Sequence, residues 1–206
     1  AGVHARHQVC HADVSEDAWA RLSPRGGEAD EAAVASSIVR RLNKILSGRY
    51  GERARSRDLA AARGTCDVRI YSAAVVDSTF DARFSALGRS YAYRVSDRPE
   101  PLGRWDRLWV EDALDEAAMN EAGAALLGEH DFLGFCRPRE GATTIRTLRT
   151  LRAERDTEGT LVFRVEADAF CHSMVRSLVG ALLLVGQRAR DIDYPARILR
   201  ARSRSE

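Results

Sequence analysis

One arginine lies in a segment that is otherwise almost entirely apolar. In "HSMVRSLVGALLLVG", residues 172–186, Arg176 is surrounded at helical spacing by valine, leucine and methionine, which predicts a helix buried on more than one side. A guanidinium among apolar neighbours is costly unless an anion meets it, so Arg176 predicts a carboxylate or phosphate partner. That partner belongs either to a functional site or to a structural ion pair with an acid such as Asp168. Composition alone favours the structural pair.

Two tyrosines lie on the same face of a predicted strand. Tyr91 and Tyr93 in "RSYAYRV" are two residues apart and are flanked by Arg89 and Arg94, and a strand directs alternate side chains to one face. Aromatic rings next to arginines can receive an unstacked nucleic-acid base. The same pattern also fills the cores of ordinary sheets, and the strand by itself favours that second interpretation.

The overall charge does not identify a partner. The formal net charge is +2, and Lys44 is the only lysine among the 32 basic residues. Arginine suits phosphates and base stacking, but a GC-rich genome would produce the same bias without any function.

Cysteine spacing and hydropathy indicate a reduced, cytoplasmic protein. The four cysteines are far apart without a C-x-x-C pair, which is not the pattern of a disulfide framework. Cysteine–histidine neighbours at 10–11 and 171–172 would point to opposite faces of a strand, so no zinc site is expected. The longest apolar run, residues 178–186, is about half the ~20 residues of a membrane span, so no membrane association is expected.

Periodicity and turn signals predict the elements that position these residues. Apolar residues at helical spacing predict a helix over residues 34–46 that ends at Gly48, followed by a charged connection over residues 48–64. Further helices are predicted at residues 113–128 and 172–186. Strands are predicted at residues 68–76, 89–95, 143–156 and 160–168. This mixed order favours an α+β fold with largely antiparallel strands.

Four stretches of the sequence resemble the tRNA pseudouridine synthase A family in their order and spacing. They are "AGVHARHQV" (1–9), "FDARFSALGRSYAY" (80–93), "LLGEHDFLGFC" (126–136) and "AFCHSMVRSLVGALLLVG" (169–186). The resemblance extends over nearly the whole chain. It implies the pseudouridine synthase fold, a largely antiparallel mixed sheet flanked by helices, with two halves around an RNA cleft.

The resemblance also implies an activity. Enzymes of this family are homodimers that isomerise uridine to pseudouridine in the anticodon stem-loop of tRNA, without cofactor or metal. An aspartate attacks the extruded uridine, the glycosidic bond breaks, and the base rejoins through carbon. Extrusion is required because the reacting atoms are inaccessible in the base stack. The expected partner of this chain is therefore tRNA.

Three residues acquire roles from the resemblance, and the catalytic one is missing. Tyr91 matches the tyrosine that stacks on the base, Arg176 matches the buried arginine that pairs with the catalytic aspartate, and Arg83 matches a position that holds the RNA. In the family, Gly-Arg-Thr-Asp directly precedes Ala-Gly-Val-His-Ala. The catalytic aspartate would therefore immediately precede Ala1 and is not in this chain.

The chain is expected to be incomplete at both ends and inactive alone. The remainder of the first half is expected at residues 1–95, with an insertion-like segment at about 47–66, and the second half at residues 96–206. Nothing after Ser203 supplies the family's final strand. A substitute carboxylate is not expected to work, because nucleophilic attack requires placement within about an ångström. The acids considered for that role are Asp13, Asp131 and Asp168.

Two alternatives to a truncated enzyme are kept. One is a catalytically dead homologue that still binds tRNA, and the other is a fragment that cannot fold because strands are missing from its sheet. Retention of Arg176 argues against the first, since a pure binding protein has little use for an aspartate's partner. The RNA-binding residues of the first alternative would be Arg83, Tyr91, Arg137, Arg139 and Arg146.

Overall fold

A computed structural model describes residues 3–23, 30–62 and 64–202. The chain divides into two compact units, residues 1–85 and residues 86–206, and each unit is described by itself. Ser203, after which the sequence predicts no further strand, lies outside the described residues. Within the described residues the helices are α1 (Glu16–Leu22), α2 (Glu31–Arg55), α3 (Glu116–Ala124), α4 (Met174–Gly186) and α5 (Tyr194–Ala201). The strands are β1 (Arg89–Ser96), β2 (Leu108–Trp109), β3 (Gly128–Asp131), β4 (Ile145–Arg155) and β5 (Leu161–Ala167).

In the first unit, α2 is longer than the sequence predicts. Its N-cap Asp30 accepts a hydrogen bond from the N–H of Ala32, and the helix runs for 25 residues to Arg55. The predicted end at Gly48 is therefore wrong, and the predicted connection is helical in its first part. A glycine inside a helix costs only about 1 kcal/mol, and basic residues in the last turn stabilise the helix through its dipole.

The predicted strand at residues 68–76 is also wrong, because the structure has neither helix nor strand there. The β-branched residues are present, but a strand needs a neighbour to receive its backbone hydrogen bonds. Among the described residues, the backbone of Ile70 instead pairs with the side chain of Asn43. Several apolar side chains of the segment remain exposed, namely those of Val68, Tyr71, Val75 and Val76.

The second unit contains a five-stranded sheet in the order β2-β1-β5-β4-β3. The pairs β1–β5, β5–β4 and β4–β3 are antiparallel, and only the edge pair β1–β2 is parallel. The predicted α+β class with a largely antiparallel mixed sheet is confirmed. The predicted strands at 89–95, 143–156 and 160–168 correspond to β1, β4 and β5.

One face of this sheet carries the core of the second unit. The side chains of Leu161, Phe163 and Val165 on β5 are buried, while Arg164 between them is exposed. They form one cluster with buried side chains of α3 and α4. Full burial of each large apolar side chain contributes about 2 kcal/mol, so this cluster is the main source of stability in the second unit.

Two glycines mark close approaches in that core. A Cβ on Gly186 would lie 2.7 Å from the sulfur of Met119, where α4 packs on α3. A Cβ on Gly134 would lie 2.6 Å from the carbonyl oxygen of Ile198 in α5. Real Cβ atoms do not approach other heavy atoms so closely, so α3 and α5 depend on these glycines for their positions.

Three further helices differ from the sequence prediction. Helix α3 is shorter than predicted, because Asp115 caps its start by accepting from the N–H of Ala118. The short helices α1 and α5 were not predicted. Of all the helices in the part of the chain that the structure describes, none has both the length and the apolar character needed to cross a bilayer.

Candidate functional site

Of the two tyrosines on β1, only Tyr91 presents its ring to solvent. Tyr91 pairs with Val165 and Tyr93 with Phe163, and both partners are buried, so both tyrosines lie on the core face of the sheet as predicted. Tyr93 is half-buried against the core, whereas Tyr91 is 36% exposed. The core interpretation therefore fits Tyr93, and Tyr91 offers a partly open aromatic surface.

A phenylalanine ring supports Tyr91 from the side. The ring centroids of Tyr91 and Phe170 are 5.2 Å apart with an interplanar angle of 80°, an edge-to-face contact. Phe170 is half-buried and packs against the core cluster. It lies in the short connection between β5 and α4, which therefore reaches the tyrosine that was singled out from the sequence.

The connection that carries Phe170 is fixed where it leaves β5. One carboxylate oxygen of Asp168 accepts hydrogen bonds from the N–H groups of Thr147 (3.0 Å) and Ala169 (2.6 Å). The N–H of Asp168 in turn donates to the carbonyl oxygen of Thr147 at 3.2 Å. The carboxylate proposed from the sequence as a structural partner of Arg176 thus binds backbone groups of this turn.

The same connection is fixed again where it approaches α4. The N–H of Arg137 donates to the carbonyl oxygen of His172 at 3.0 Å, and Cys136 forms a disulfide with Cys171, with 5.7 Å between their Cα atoms. The expectation of cysteines without a disulfide is wrong for this pair. The two residues are 35 apart in sequence, so only the tertiary fold brings them together.

Arg176 lies in the first turns of α4 and is exposed rather than buried. The buried residues of α4 begin with Met174, Leu178 and Val179, while His172 and Arg176 lie on the opposite stripe and are exposed. The prediction of a buried arginine is therefore wrong, because Arg176 lies on the stripe of α4 that faces away from the buried residues. A guanidinium in contact with water needs no buried anion for the fold to be stable.

Arg83 lies in the first unit, in a turn organised by Asp81. One carboxylate oxygen of Asp81 accepts from the N–H groups of Arg83 (2.7 Å) and Phe84 (2.8 Å). These bonds, that to Phe84 foremost, hold the pKa of Asp81 below its ordinary value. The Arg83 guanidinium lies 5.3 Å from the centroid of the Phe84 ring, which is 80% exposed. The turn thus presents a cation and an aromatic ring side by side.

Two of the three carboxylates considered as substitute nucleophiles accept hydrogen bonds from backbone groups of the second unit. Asp131 accepts from the N–H of Leu133 at 3.1 Å and from the hydroxyl of Thr144 at 2.6 Å, and Asp168 binds its turn as described above. Asp13 is an exposed residue of the first unit. The described residues contain no group of three or more histidine, cysteine or acidic side chains able to hold a metal ion.

Sequence reasoning missed Phe170 and the Cys136–Cys171 disulfide. Phe170 contacts Tyr91 across a long stretch of chain, and no local pattern records such a contact. The only available signal was that Phe170 and both cysteines lie within the stretches at 126–136 and 169–186 that carry the family resemblance.

Comparison with known proteins identifies similar sequences along nearly the whole chain. A family profile described as tRNA pseudouridine synthase matches residues 122–206. The tRNA pseudouridine synthase A of Streptomyces griseus is 48% identical over 99% of this chain and 63% of its own length. The proteins of the same name from Cutibacterium acnes and Mycobacterium leprae are 42% and 40% identical, and the alignments cover 63% and 65% of their lengths.

These comparisons confirm the resemblance and also set its extent. The chain spans about three fifths of the length of the curated relatives it matches, from 60% to 65%. The profile match includes β3 to β5, α4 and the connection with Phe170. Phe170 and Arg176 therefore lie within the residues matched by the profile, whereas Tyr91 precedes them.

Proposed function

We propose that this chain, a relative of the tRNA pseudouridine synthase A family, carries the larger part of an enzyme that isomerises uridine to pseudouridine in the anticodon stem-loop of tRNA. The observation that carries the proposal is the partly exposed Tyr91 in edge-to-face contact with Phe170, which lies in the connection that leads to α4. The intact protein is proposed to be a cytoplasmic homodimer that uses neither metal nor organic cofactor.

Each site residue then has a chemical task. The target uridine leaves the base stack, because its reacting atoms are otherwise inaccessible, and stacks on the ring of Tyr91. Arg83 and Phe84 offer a cation and an aromatic ring for a phosphate or base of the tRNA. Arg176 binds the carboxylate of the attacking aspartate and keeps it ionised and oriented.

The reaction requires no redox chemistry and conserves all atoms. The aspartate carboxylate forms an ester bond to C1′ of the ribose as the bond between N1 of uracil and C1′ breaks. A bond from C5 of the base to C1′ then replaces that ester bond and releases the carboxylate unchanged. The proton on C5 is lost and N1 gains one. Tyr91 and Arg176 act by placement, since near-attack geometry supplies much of the rate of such reactions.

The nucleophile is proposed to be an aspartate outside these 206 residues. One oxygen of Asp131 and one of Asp168 accept hydrogen bonds from the backbone, so both carboxylates take part in turns of the second unit. Residues 1–206 alone are therefore proposed to bind tRNA without modifying it, and the family's Gly-Arg-Thr-Asp segment, joined before residue 1, is proposed to restore the activity.

A paired assay tests this proposal. Residues 1–206 and a version extended through the family's N-terminal segment are incubated with unmodified tRNA, and pseudouridine is measured by mass spectrometry. The matched control is the extended version with its aspartate replaced by asparagine. Activity in the extended version alone supports the proposal, whereas equal activity in residues 1–206 would place the nucleophile within them.

A tRNA-binding assay separates the enzyme from a catalytically dead homologue. Both interpretations expect binding that weakens steeply as salt rises, because phosphate contacts release counterions. Only the enzyme interpretation expects the extended version to form pseudouridine. Binding without any product in the extended version would therefore support the dead homologue.

A further inference from the structure

We infer that Phe170 is a positioning residue that holds the ring of Tyr91 in the orientation needed to stack on an extruded base. This inference deepens the proposed function and rests on it, since it concerns the same tyrosine. It assigns to Phe170 a task that is carried out through its contact with Tyr91.

The contact between the two rings is directional. At a centroid distance of 5.2 Å and an angle of 80°, the edge of one ring meets the face of the other, which is a preferred arrangement of aromatic pairs. Tyr91 is partly exposed, so its side chain is accessible to a ligand. Without a lateral contact a partly exposed tyrosine can occupy several rotamers, and only some of them present the face of the ring to a base.

The connection that carries Phe170 is fixed by contacts on both sides of this residue. The hydrogen bonds of Asp168 to Thr147 and Ala169 fix the connection on one side of it. The disulfide of Cys171 and the backbone bond of His172 fix it on the other side. A side chain mounted on a segment fixed at both ends can transmit a defined position to its neighbour.

Tyr93 shows that a tyrosine on this face of β1 can fill the core without the ring contact that Tyr91 makes with Phe170. It lies on the same face of β1, two residues further along, and packs directly against the core cluster. Phe170 contributes to the core as well, so its replacement is expected to lower stability. A positioning role adds an effect on the Tyr91 ring that loss of stability does not produce.

The first test measures the ring contact in the 206-residue chain. Tyrosine is ring-labelled with ¹³C, Tyr91 is assigned from the Tyr91→Phe variant, and a nuclear Overhauser contact between the Tyr91 and Phe170 rings is sought in the unsubstituted chain. We expect that contact, together with a Tyr91 resonance shifted by the Phe170 ring current. Phe170→Leu should abolish the shift, and Phe170→Tyr should restore it.

The matched control for this test is Phe135→Leu. Phe135 is also buried and packs near Phe132, so the substitution removes a ring from the same core. It should lower the melting temperature and leave the Tyr91 resonance in place. If the Overhauser contact is missing in the unsubstituted chain, the inference is wrong, and this measurement holds even if Phe170→Leu does not fold.

The second test measures catalysis in the extended version. Phe170→Leu is expected to reduce kcat by about three- to tenfold, as loss of one aromatic pair implies, with KM for tRNA changed less than kcat. Phe170→Tyr should recover kcat, and Phe135→Leu should leave it unchanged. Unchanged kcat in Phe170→Leu would overturn the inference. An inactive extended parent that still shows the ring contact would instead overturn the proposed function.

Discussion

Asn43 in the first unit and Asn120 in the second make the same pair of hydrogen bonds. Each lies on a helix, and its amide donates to the carbonyl oxygen of a residue in another segment and accepts from the N–H of that same residue. The distances are 2.8 and 2.9 Å for Asn43 with Ile70, and 2.9 and 2.8 Å for Asn120 with Ala153. A side-chain amide has the donor and acceptor of a peptide group, so each asparagine replaces one residue of a neighbouring strand.

The segment bound by Asn120 forms a strand and the segment bound by Asn43 does not, because the two segments have different neighbours. Ala153 belongs to β4, which pairs with β5 on one side, and Asn120 contacts β4 beyond Leu148, where the pairing with β3 ends. Ile70 lies in no strand of the described residues. The same local device therefore accompanies a strand only where a second strand and a core are also present.

Burial shows the same contrast between the two units. The core cluster of the second unit contains buried side chains from three of its five strands and all three of its α-helices among the described residues. In the described part of the first unit, the buried apolar residues are Val34 and Ala54.

Hydrogen exchange should separate the two units most strongly. Amides of β5 are expected to exchange at least about a thousandfold more slowly than those of residues 68–76, because core strands open only with global unfolding. Hydrogen exchange followed by mass spectrometry measures both segments in one sample. The amide of Ile70 is an internal control, because its N–H donates to the side chain of Asn43. Equal protection of residues 68–76 would contradict the contrast.

Removal of one large side chain should affect the units unequally. Phe163→Ala empties a fully buried site in β5 and is expected to lower the free energy of unfolding by about 4 kcal/mol. Val75→Ala shortens a side chain that is 52% exposed, and a change within about 0.5 kcal/mol is expected. Urea denaturation of both variants provides the measurement, and a large effect of Val75→Ala would show that the first unit is packed after all.

The disulfide should stabilise the second unit selectively. Closure of the loop between Cys136 and Cys171, 35 residues apart, is expected to contribute about 3 to 4 kcal/mol. Peptide mapping without reduction should recover these two cysteines in one linked peptide, and Cys10 and Cys66 should react with an alkylating reagent. Alkylation of all four cysteines in the folded, oxidised chain would contradict the pairing.

The two asparagines allow a direct comparison. Asn120→Ala leaves the backbone groups of Ala153, which is 1% exposed, without partners, and a loss of about 2 kcal/mol is expected. Asn43→Ala should cost about 1 kcal/mol, because Ile70 is only half-buried and water can replace the amide. Urea midpoints of the two variants test the order, and a larger effect at Asn43 would reverse it.

The smallest effect should be the acid dependence of one ion pair. Hydrogen bonds from Arg155, 3.0 and 2.6 Å long, hold the pKa of Asp97 below its ordinary value. A lowered folded-state pKa stabilises the protein above the unfolded-state pKa of about 4, and this stabilisation is lost as pH falls through the folded-state value. Asp97→Asn should therefore flatten the acid limb of stability measured against pH.

A matched control for this pair comes from the first unit. Backbone N–H groups, with Phe84 first, lower the pKa of Asp81, but this carboxylate lies on an exposed turn. Asp81→Asn should leave the acid limb of global unfolding nearly unchanged. If it flattens the limb as much as Asp97→Asn does, the two units unfold as one.

The elements that the sequence predicted are those whose burial is periodic. The alternation in residues 160–168 and the apolar repeat in residues 172–186 record the faces of β5 and α4, and both elements form near the predicted positions. The segment at residues 68–76 has strand-forming residues but lacks pairing in the described residues. Local propensity does not contain that information, because strands depend on their neighbours.

The site was predictable only in part. The resemblance singles out Tyr91, which is partly exposed, but strand alternation alone puts Tyr91 and Tyr93 on one face and does not separate them. The sequence predicts a buried Arg176 because apolar residues cover most of the circumference of α4, and their periodicity does not show that the remaining stripe is exposed. Phe170 acts across a tertiary contact, and no short-range pattern marks it.

Gly134 gives the position of α5 a consequence for genetics. Because the carbonyl oxygen of Ile198 occupies the space of a Cβ at this position, alleles that encode any other residue at codon 134 should survive only together with second-site changes near codon 198. A suppressor screen that starts from Gly134→Ala should thus recover changes in α5. The residue allowed at position 134 thus depends on the position of α5, which is encoded about 60 codons downstream.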